Sequence, residues 1–274
     1  MADPNEIGKA RVVYKIPNME RANIRKDLTY KSVDGNELKM DIYYPADHQS
    51  SSLRPAVIFV HGDGPAEMLR DAKDWGQYVS WGQLIAASGF IAVTFNHRSS
   101  ERFSKIYQVA SDIDDLINYV RTNGESLNID KDSIGIWVCS AGVPFGMRAA
   151  MREAPAFVRC IIAYYGFMNL QHMRDALPAE VTDEDLREFS AVYHLSKRPK
   201  EIAPMFIVKA GLDHPRLNES IDYFVMEASA KNATLNFLSN PEGQHAFDIL
   251  DDNARSREII RATLEGVRDW ISKK

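Results

Sequence analysis

Apolar residues are spaced in two ways along this chain. Between residues 38 and 44 they alternate: Leu38, Met40, Ile42 and Tyr44 are separated by Lys39, Asp41 and Tyr43. A period of two predicts a strand with one buried and one wet face. A second strand-like stretch, residues 28–33, precedes it, and Asp34-Gly35-Asn36 between them is a hairpin signal, so an antiparallel edge hairpin is predicted. After a polar, Ser-rich loop over residues 47–54, the apolar residues become continuous, in runs at 56–60, 90–95, 133–139, 159–165, 204–210 and 233–238. Runs without alternation read as strands buried on both faces. Helical spacing lies between them. It covers residues 78–87, closed by Ser88-Gly89, and then 106–122, where Ile106, Val109, Ile113, Leu116 and Val120 share a face before Asn123-Gly124. It returns over 143–153 and in a last helix carrying Ile260, Leu264, Val267 and Ile271. Buried strands alternating with amphipathic helices predict an α/β fold: a mostly parallel central sheet with helices on both faces, led by the antiparallel hairpin. Residues 1 to about 23 have weak periodicity and read as a short arm packed on the domain. Residues 167–202 are too long for a βα loop. They hold a short helix with Thr182 as N-cap and Asp183, Glu184 and Asp185 in its first turn. This reads as a cap-like insertion over the carboxyl end of the sheet, where such folds bind ligands, within one domain spanning residues 1–274.

Composition narrows the class. The 274 residues are 45% hydrophobic and 26% charged, which suits a soluble globule with a sizeable core. The net charge of −5 and the lack of a basic run argue against a nucleic-acid partner. The first six residues are polar and acidic with no apolar stretch behind them, so neither a signal peptide nor a membrane partner is expected. The two cysteines, Cys139 and Cys160, sit in apolar runs and read as free core thiols of a reducing, cytoplasmic compartment.

Chemistry concentrates where the run at 133–139 stops at Ser140-Ala141-Gly142 and helical spacing begins. A strand turning sharply into a helix with Ser at the corner is a nucleophile elbow. The pattern G-x-S-x-G reads here as Val138-Cys139-Ser140-Ala141-Gly142, so Gly142 fits and Val138 is expected to crowd the turn. The competing reading of Ser140 is a helix cap after a buried strand. Making Cys139 the nucleophile would put Trp137 at a small-residue position, a worse misfit than Val138. A serine nucleophile needs a base and a carboxylate to orient it. Asp213 ends the run at 204–210 within Gly211-Leu212-Asp213, and His245 lies in Gly243-Gln244-His245-Ala246-Phe247 between the last strand and the last helix. Taken singly, these are also an ordinary turn residue and a solvated loop histidine. The order Ser, Asp, His, each after its own strand, is what joins them. His61-Gly62-Asp63-Gly64 follows the first buried strand and can aim backbone N–H groups of Asp63 or Gly64 into the site, with Ala141 as the other donor. An Asp63 carboxylate pointing inward would oppose an oxyanion and is expected to face away. His61 reads as structural, and His97 and Arg98 as loop-holding residues. Tyr164, Tyr165 and Phe167 follow the strand beside the elbow and are candidate walls of an apolar substrate pocket, or else plain core.

On these residues the chain resembles the α/β-hydrolase superfamily, in its small-esterase and dienelactone-hydrolase-like branch. The matching pieces are residues 34–45, His61-Gly62-Asp63-Gly64, Ser140-Ala141-Gly142, Gly211-Leu212-Asp213 and Gly243-Gln244-His245-Ala246-Phe247. The resemblance implies Ser140 as nucleophile, His245 as base, Asp213 as acid, and N–H groups of Ala141 and of Asp63 or Gly64 as oxyanion donors. It implies a hydrolase that needs no cofactor or metal and acts on a small-molecule ester through an acyl-enzyme. A peptidase or amidase, a dienelactone-type hydrolase, and a binding protein on the same scaffold are the alternatives.

Overall fold

The computed structural model of the chain describes residues 8–49 and 52–271. The acidic N-terminal stretch and two serines of the Ser-rich loop, residues 1–6, 50 and 51, lie outside the described residues. Strand β1 (Asn23–Val33) turns through Asp34-Gly35 into β2 (Asn36–Tyr44), with φ of +52° and +75° at the two turn residues, as a two-residue hairpin demands. Then come β3 (Arg54–Val60), α1 (Ala66–Leu69), α2 (Gly76–Ala87), β4 (Ile91–Phe95), α3 (Ile106–Thr122), β5 (Ile129–Cys139), α4 (Val143–Met151) and β6 (Val158–Tyr164). The insertion contributes α5 (Asp183–Glu188) and α6 (Ala191–Lys197); β7 (Met205–Ala210), α7 (Pro215–Ala230), β8 (Leu235–Asn240), α8 (Phe247–Leu250) and α9 (Ala254–Ile271) follow.

The strands form one sheet in the order β1-β2-β4-β3-β5-β6-β7-β8. β1, β2 and β4 are joined by antiparallel pairing, and every pairing from β4 to β8 is parallel. Each face of the sheet carries its own core, and alternation along β5 feeds both. Ile136 and Val138 join Ile58, Val93, Ile113 and Phe145 on one face, while Trp137 and Cys139 join Phe59, Trp81, Tyr164 and Ile260 on the other. Each large apolar side chain so buried contributes about 1.5–3 kcal/mol.

Two expectations change. The supposedly wet face of β2 is covered, because Asp41 and Tyr43 are fully buried. Tyr43 packs against Gly82 of α2, and Asp41 pairs with the buried Lys73. The set of helices expected from spacing is also incomplete: it omits α7, although Leu217, Ile221, Phe224 and Ala228 recur on one buried face behind Pro215, and it omits the short α6. The arm does pack: Val12 and Met19 are buried, and the N–H of Val12 donates to Ser80 Oγ. The insertion is docked rather than loose. Thr182 and Asp185 form a reciprocal capping box, Leu186 and Phe189 are fully buried, and Arg148 of α4 donates to Glu188 at 2.8 Å. Among the described residues no helix is long and apolar enough to cross a membrane.

Candidate active site

β5 is extended up to Cys139, and the chain then reverses at Ser140, whose φ is +52°. A left-handed non-glycine residue costs about 1–3 kcal/mol and persists only where its surroundings impose it. Here they do. A Cβ on Gly142 would lie 2.2 Å from the carbonyl oxygen of His61, so the start of α4 is pressed onto the loop after β3. The crowding expected of Val138 is relieved from the helix side. A Cβ on Gly146 would lie 2.2 Å from Val138 Cγ1, so a glycine in α4 makes the room that the motif ordinarily makes in the strand.

Ser140, Asp213 and His245 arrive at one place from the carboxyl ends of β5, β7 and β8. Asp213 Oδ2 lies 2.6 Å from His245 Nδ1, and His245 Nε2 lies 2.8 Å from Ser140 Oγ. A carboxylate only accepts, so Nδ1 carries the proton, Nε2 is the acceptor, and the serine hydroxyl donates to it. The other oxygen of Asp213 accepts the N–H of His214 at 2.7 Å. The loops bearing Asp213 and His245 are stitched together: Gly211 N–H donates to Asn240 O at 2.7 Å and Leu212 N–H to Gly243 O at 2.9 Å. The Asp213 carboxylate is buried, at 8% exposure, whereas His245 is 42% exposed. The imidazole is thus gripped on one side and open to solvent on the other.

Cys139 points the opposite way. It is buried on the far face, 3.4 Å from Tyr78 Oη, and burial pushes its thiol up to about 12. A thiol so placed is a core residue.

Gly62 faces the serine, with a notional Cβ 3.5 Å from Ser140 Cβ. Its own N–H donates to Tyr78 Oη at 3.1 Å. The Asp63 carboxylate is turned away, as expected, taking the N–H of Ser100 at 3.0 Å and the hydroxyl of the same residue. His61 is buried. Its Nδ1 donates to Gly62 O at 2.7 Å, its Nε2 accepts the N–H of His97, and its ring stacks on His97 at 3.7 Å. Burial, followed by the neighbouring His97, holds His61 well below its ordinary pKa, so it stays a neutral brace. Arg98 pairs with Asp112 of α3 and with Asp34 of the hairpin.

The tyrosines require a correction. Tyr164 is fully buried in the core on the α9 side, its hydroxyl 2.6 Å from Thr263 Oγ1. Tyr165 is also buried. Its ring lies 4.8 Å from the His245 ring, underneath the histidine rather than beside an open cleft. Adjacent residues at a strand end look alike in sequence; which of them reaches a cleft depends on what α8 and α9 place against them. Phe167 is half-buried and packs on the core face that holds Phe145 and Phe189. Two exposed apolar residues not foreseen adjoin residues named above. Met68 lies with its methyl 3.7 Å from where a Cβ on Gly64 would be, and Leu212, 69% exposed, adjoins Asp213.

Solved structures share this architecture. An esterase from the planctomycete Thermogutta terrifontis, Est2, aligns with a TM-score of 0.73 at 19% identity, covering 96% of either chain. The same esterase phosphorylated by paraoxon aligns at 0.70 and 20% identity over 92% of this chain and 94% of that one. Its butyrate-bound form aligns at 0.71 and 20% identity over 94% and 98%. A curated relative, the non-reducing polyketide synthase atr1 of Stereocaulon alpinum, is 20% identical over 155 residues, 53% of this chain but only 6% of the synthase's length. The BD-FAE family model matches residues 40–210, from β2 through the elbow to the end of β7, and the chain belongs to the BD-FAE family, on an α/β-hydrolase fold.

Proposed function

We propose that this protein is a serine hydrolase that cleaves carboxylic esters of small acyl groups, with the whole chain serving as one hydrolase domain. The observation that carries the reading is the continuous hydrogen-bonded line from Asp213 through His245 to Ser140 Oγ. Ser140 Oγ attacks the acyl carbonyl while its proton passes to His245 Nε2. Asp213 keeps the tautomer and stabilises the imidazolium. The oxyanion of the tetrahedral intermediate is received by N–H groups of Ala141 and of Asp63 or Gly64, each such donor being worth about 2.7–4 kcal/mol. Collapse expels the alcohol, which takes the proton from His245. Water, deprotonated by the same imidazole, then releases the carboxylic acid. The buried thiol of Cys139 argues against the dienelactone-type alternative.

Small acyl groups are supported by the insertion. Its apolar residues Leu186 and Phe189 are spent on packing, so it offers no broad apolar face to a lipid surface. Structural neighbours described as butyrate-bound and propionate-bound point the same way. The test is a fluorophosphonate probe followed by peptide mass spectrometry. The adduct is expected on Ser140, and Ser140→Ala should abolish labelling and reduce ester turnover by several orders of magnitude, on the order of 10⁶ where such a triad has been dissected. Turnover that survives Ser140→Ala, or no labelling and no ester hydrolysis by the wild type, would show that the scaffold serves another purpose.

A further inference from the structure

Beneath His245 lies a buried acid that the triad does not use. Asp248, in the short helix α8, is fully buried and accepts hydrogen bonds from Gln77 Nε2 at 3.0 Å, Trp81 Nε1 at 2.8 Å and the hydroxyl of Tyr165. Among the described residues it has no Lys or Arg within ion-pair distance; burial raises its pKa above the ordinary carboxylate value, and the bonds donated by Trp81, Tyr165 and Gln77 oppose that shift and favour the carboxylate form. Such an arrangement is costly unless every donor is in place. The residue linking it to the site is itself strained. Tyr165 has a φ of +36°, a genuine outlier for a bulky side chain. It is pinned there by its N–H to Val208 O at 2.9 Å, and the following Gly166 is wedged against Ser140 O and Val143. The strained backbone delivers the aromatic ring to within 4.8 Å of the imidazole, inclined at 60°. Strain of this kind next to a reacting group is a reason to look for a role.

We propose that Tyr165 and Asp248 are positioning residues for His245, forming an anionic aromatic cradle that holds its imidazolium. This rests on the serine-hydrolase reading of the same site. An aromatic ring attracts a cation, and more strongly where water is excluded. A phenol that donates its hydrogen bond to a carboxylate is richer in electron density than an isolated one, so Asp248 strengthens the ring's hold without touching the histidine. The neutral imidazole of the resting state gains little from this. The imidazolium formed as Ser140 loses its proton gains more, which is the differential that accelerates a reaction. Burial and then the Asp248 charge raise the Tyr165 pKa well above its ordinary value, so the phenol keeps its proton and remains a donor. The other groups around His245 are Asp213 at Nδ1 and Ser140 at Nε2; Tyr78 and Cys139 lie behind the Tyr165–Asp248 pair, and Asp251 anchors Gln244 on the histidine's own loop.

Two readouts test the cradle. The first is titration of the His245 imidazole by NMR in the wild type, Tyr165→Phe and Asp248→Asn. Because the cradle favours the charged form, its loss should lower the histidine's pKa by about half a unit to one unit. The second is the pH profile of p-nitrophenyl butyrate hydrolysis. kcat should fall about 3- to 10-fold, the same half a unit to one unit expressed as a rate, with KM changed less than about twofold, and the acid limb of kcat/KM should move to lower pH. Tyr165→Phe keeps the ring and the packing, so it remains informative if Asp248→Asn folds poorly, and it should lose less than Tyr165→Leu. A merely structural pair would lower the melting temperature and leave both the histidine titration and the acid limb where they were, and that result overturns the inference. A wild type without turnover would instead refute the hydrolase reading, and the NMR titration would still decide whether Tyr165 and Asp248 act on His245.

Discussion

The pairing of Val138 with Gly146 makes a quantitative prediction about the elbow. Placing a methyl on residue 146 puts it 2.2 Å from Val138 Cγ1, 3.2 Å from Val138 Cβ and 3.3 Å from Val60 Cγ2. The first distance cannot be met without movement, and both neighbours, Val138 and Val60, are fully buried. Overpacking of this sort costs about 1–3 kcal/mol, against an intrinsic gain of about 0.8–1.0 kcal/mol for Ala over Gly inside a helix. With contact this close, Gly146→Ala should destabilise the protein by up to about 2 kcal/mol. It should also lower activity, because α4 can yield only by shifting the turn that carries Ser140. Val138→Ala alone removes two buried methyl groups and should cost about 2–3 kcal/mol in lost burial and cavity. In the double variant the 2.2 Å contact is gone and the remaining ones are merely tight. Gly146→Ala should then be neutral or stabilising by as much as about 1 kcal/mol, giving a coupling of about 1–3 kcal/mol between the sites. Urea unfolding of the four proteins, with ester hydrolysis measured on each, completes the cycle. If the single effects add to within about 0.5 kcal/mol, the helix glycine does not make room for Val138 and the account of the elbow is wrong.

Other outcomes can be stated briefly. Iodoacetamide at pH 8 should leave turnover intact and Cys139 unmodified in the folded protein, since its thiol is pushed up to about 12; inactivation traced to Cys139 would reverse the assignment of the nucleophile. Across p-nitrophenyl esters of rising chain length, kcat/KM should climb by up to roughly 0.8 kcal/mol per buried methylene, peak at about two to six carbons and then fall. Rates that continue upward, or that jump above the micelle threshold, would contradict this. Burial alone would raise the pKa of Asp112, but its bonds to Arg98 and Lys31 outweigh that and hold it below the ordinary carboxylate value. Its contribution is therefore present above the unfolded carboxylate pKa and lost as pH falls through the folded one. Asp112→Asn should accordingly cost about 3 kcal/mol at pH 7 and progressively less below pH 4, as measured by unfolding across pH.

Much of this molecule is written in local pattern. The continuous runs at β3 to β7, the Asp34-Gly35 turn, the Thr182 cap and the docked face of Leu186 and Phe189 can be read from the chain. Each is the consequence of a period, or of a residue's own backbone preference, within a few positions. The three residues now joined by hydrogen bonds were also legible, because strand order dictates which loops share an end of a parallel sheet. What spacing could not reveal are pairings across long stretches of chain. Asp41 looked solvent-facing until Lys73 covered it, 32 positions later. Tyr164 and Tyr165 were interchangeable with pocket residues until Thr263 and Asp248, 99 and 83 positions away, claimed their hydroxyls. Val138 looked like a flaw in the elbow because the compensating glycine stands on the helix, outside the motif. Periodicity reports whether a side chain is buried; only the packed structure decides against what. Contact between distant residues depends on how whole layers come together, and no local pattern encodes that.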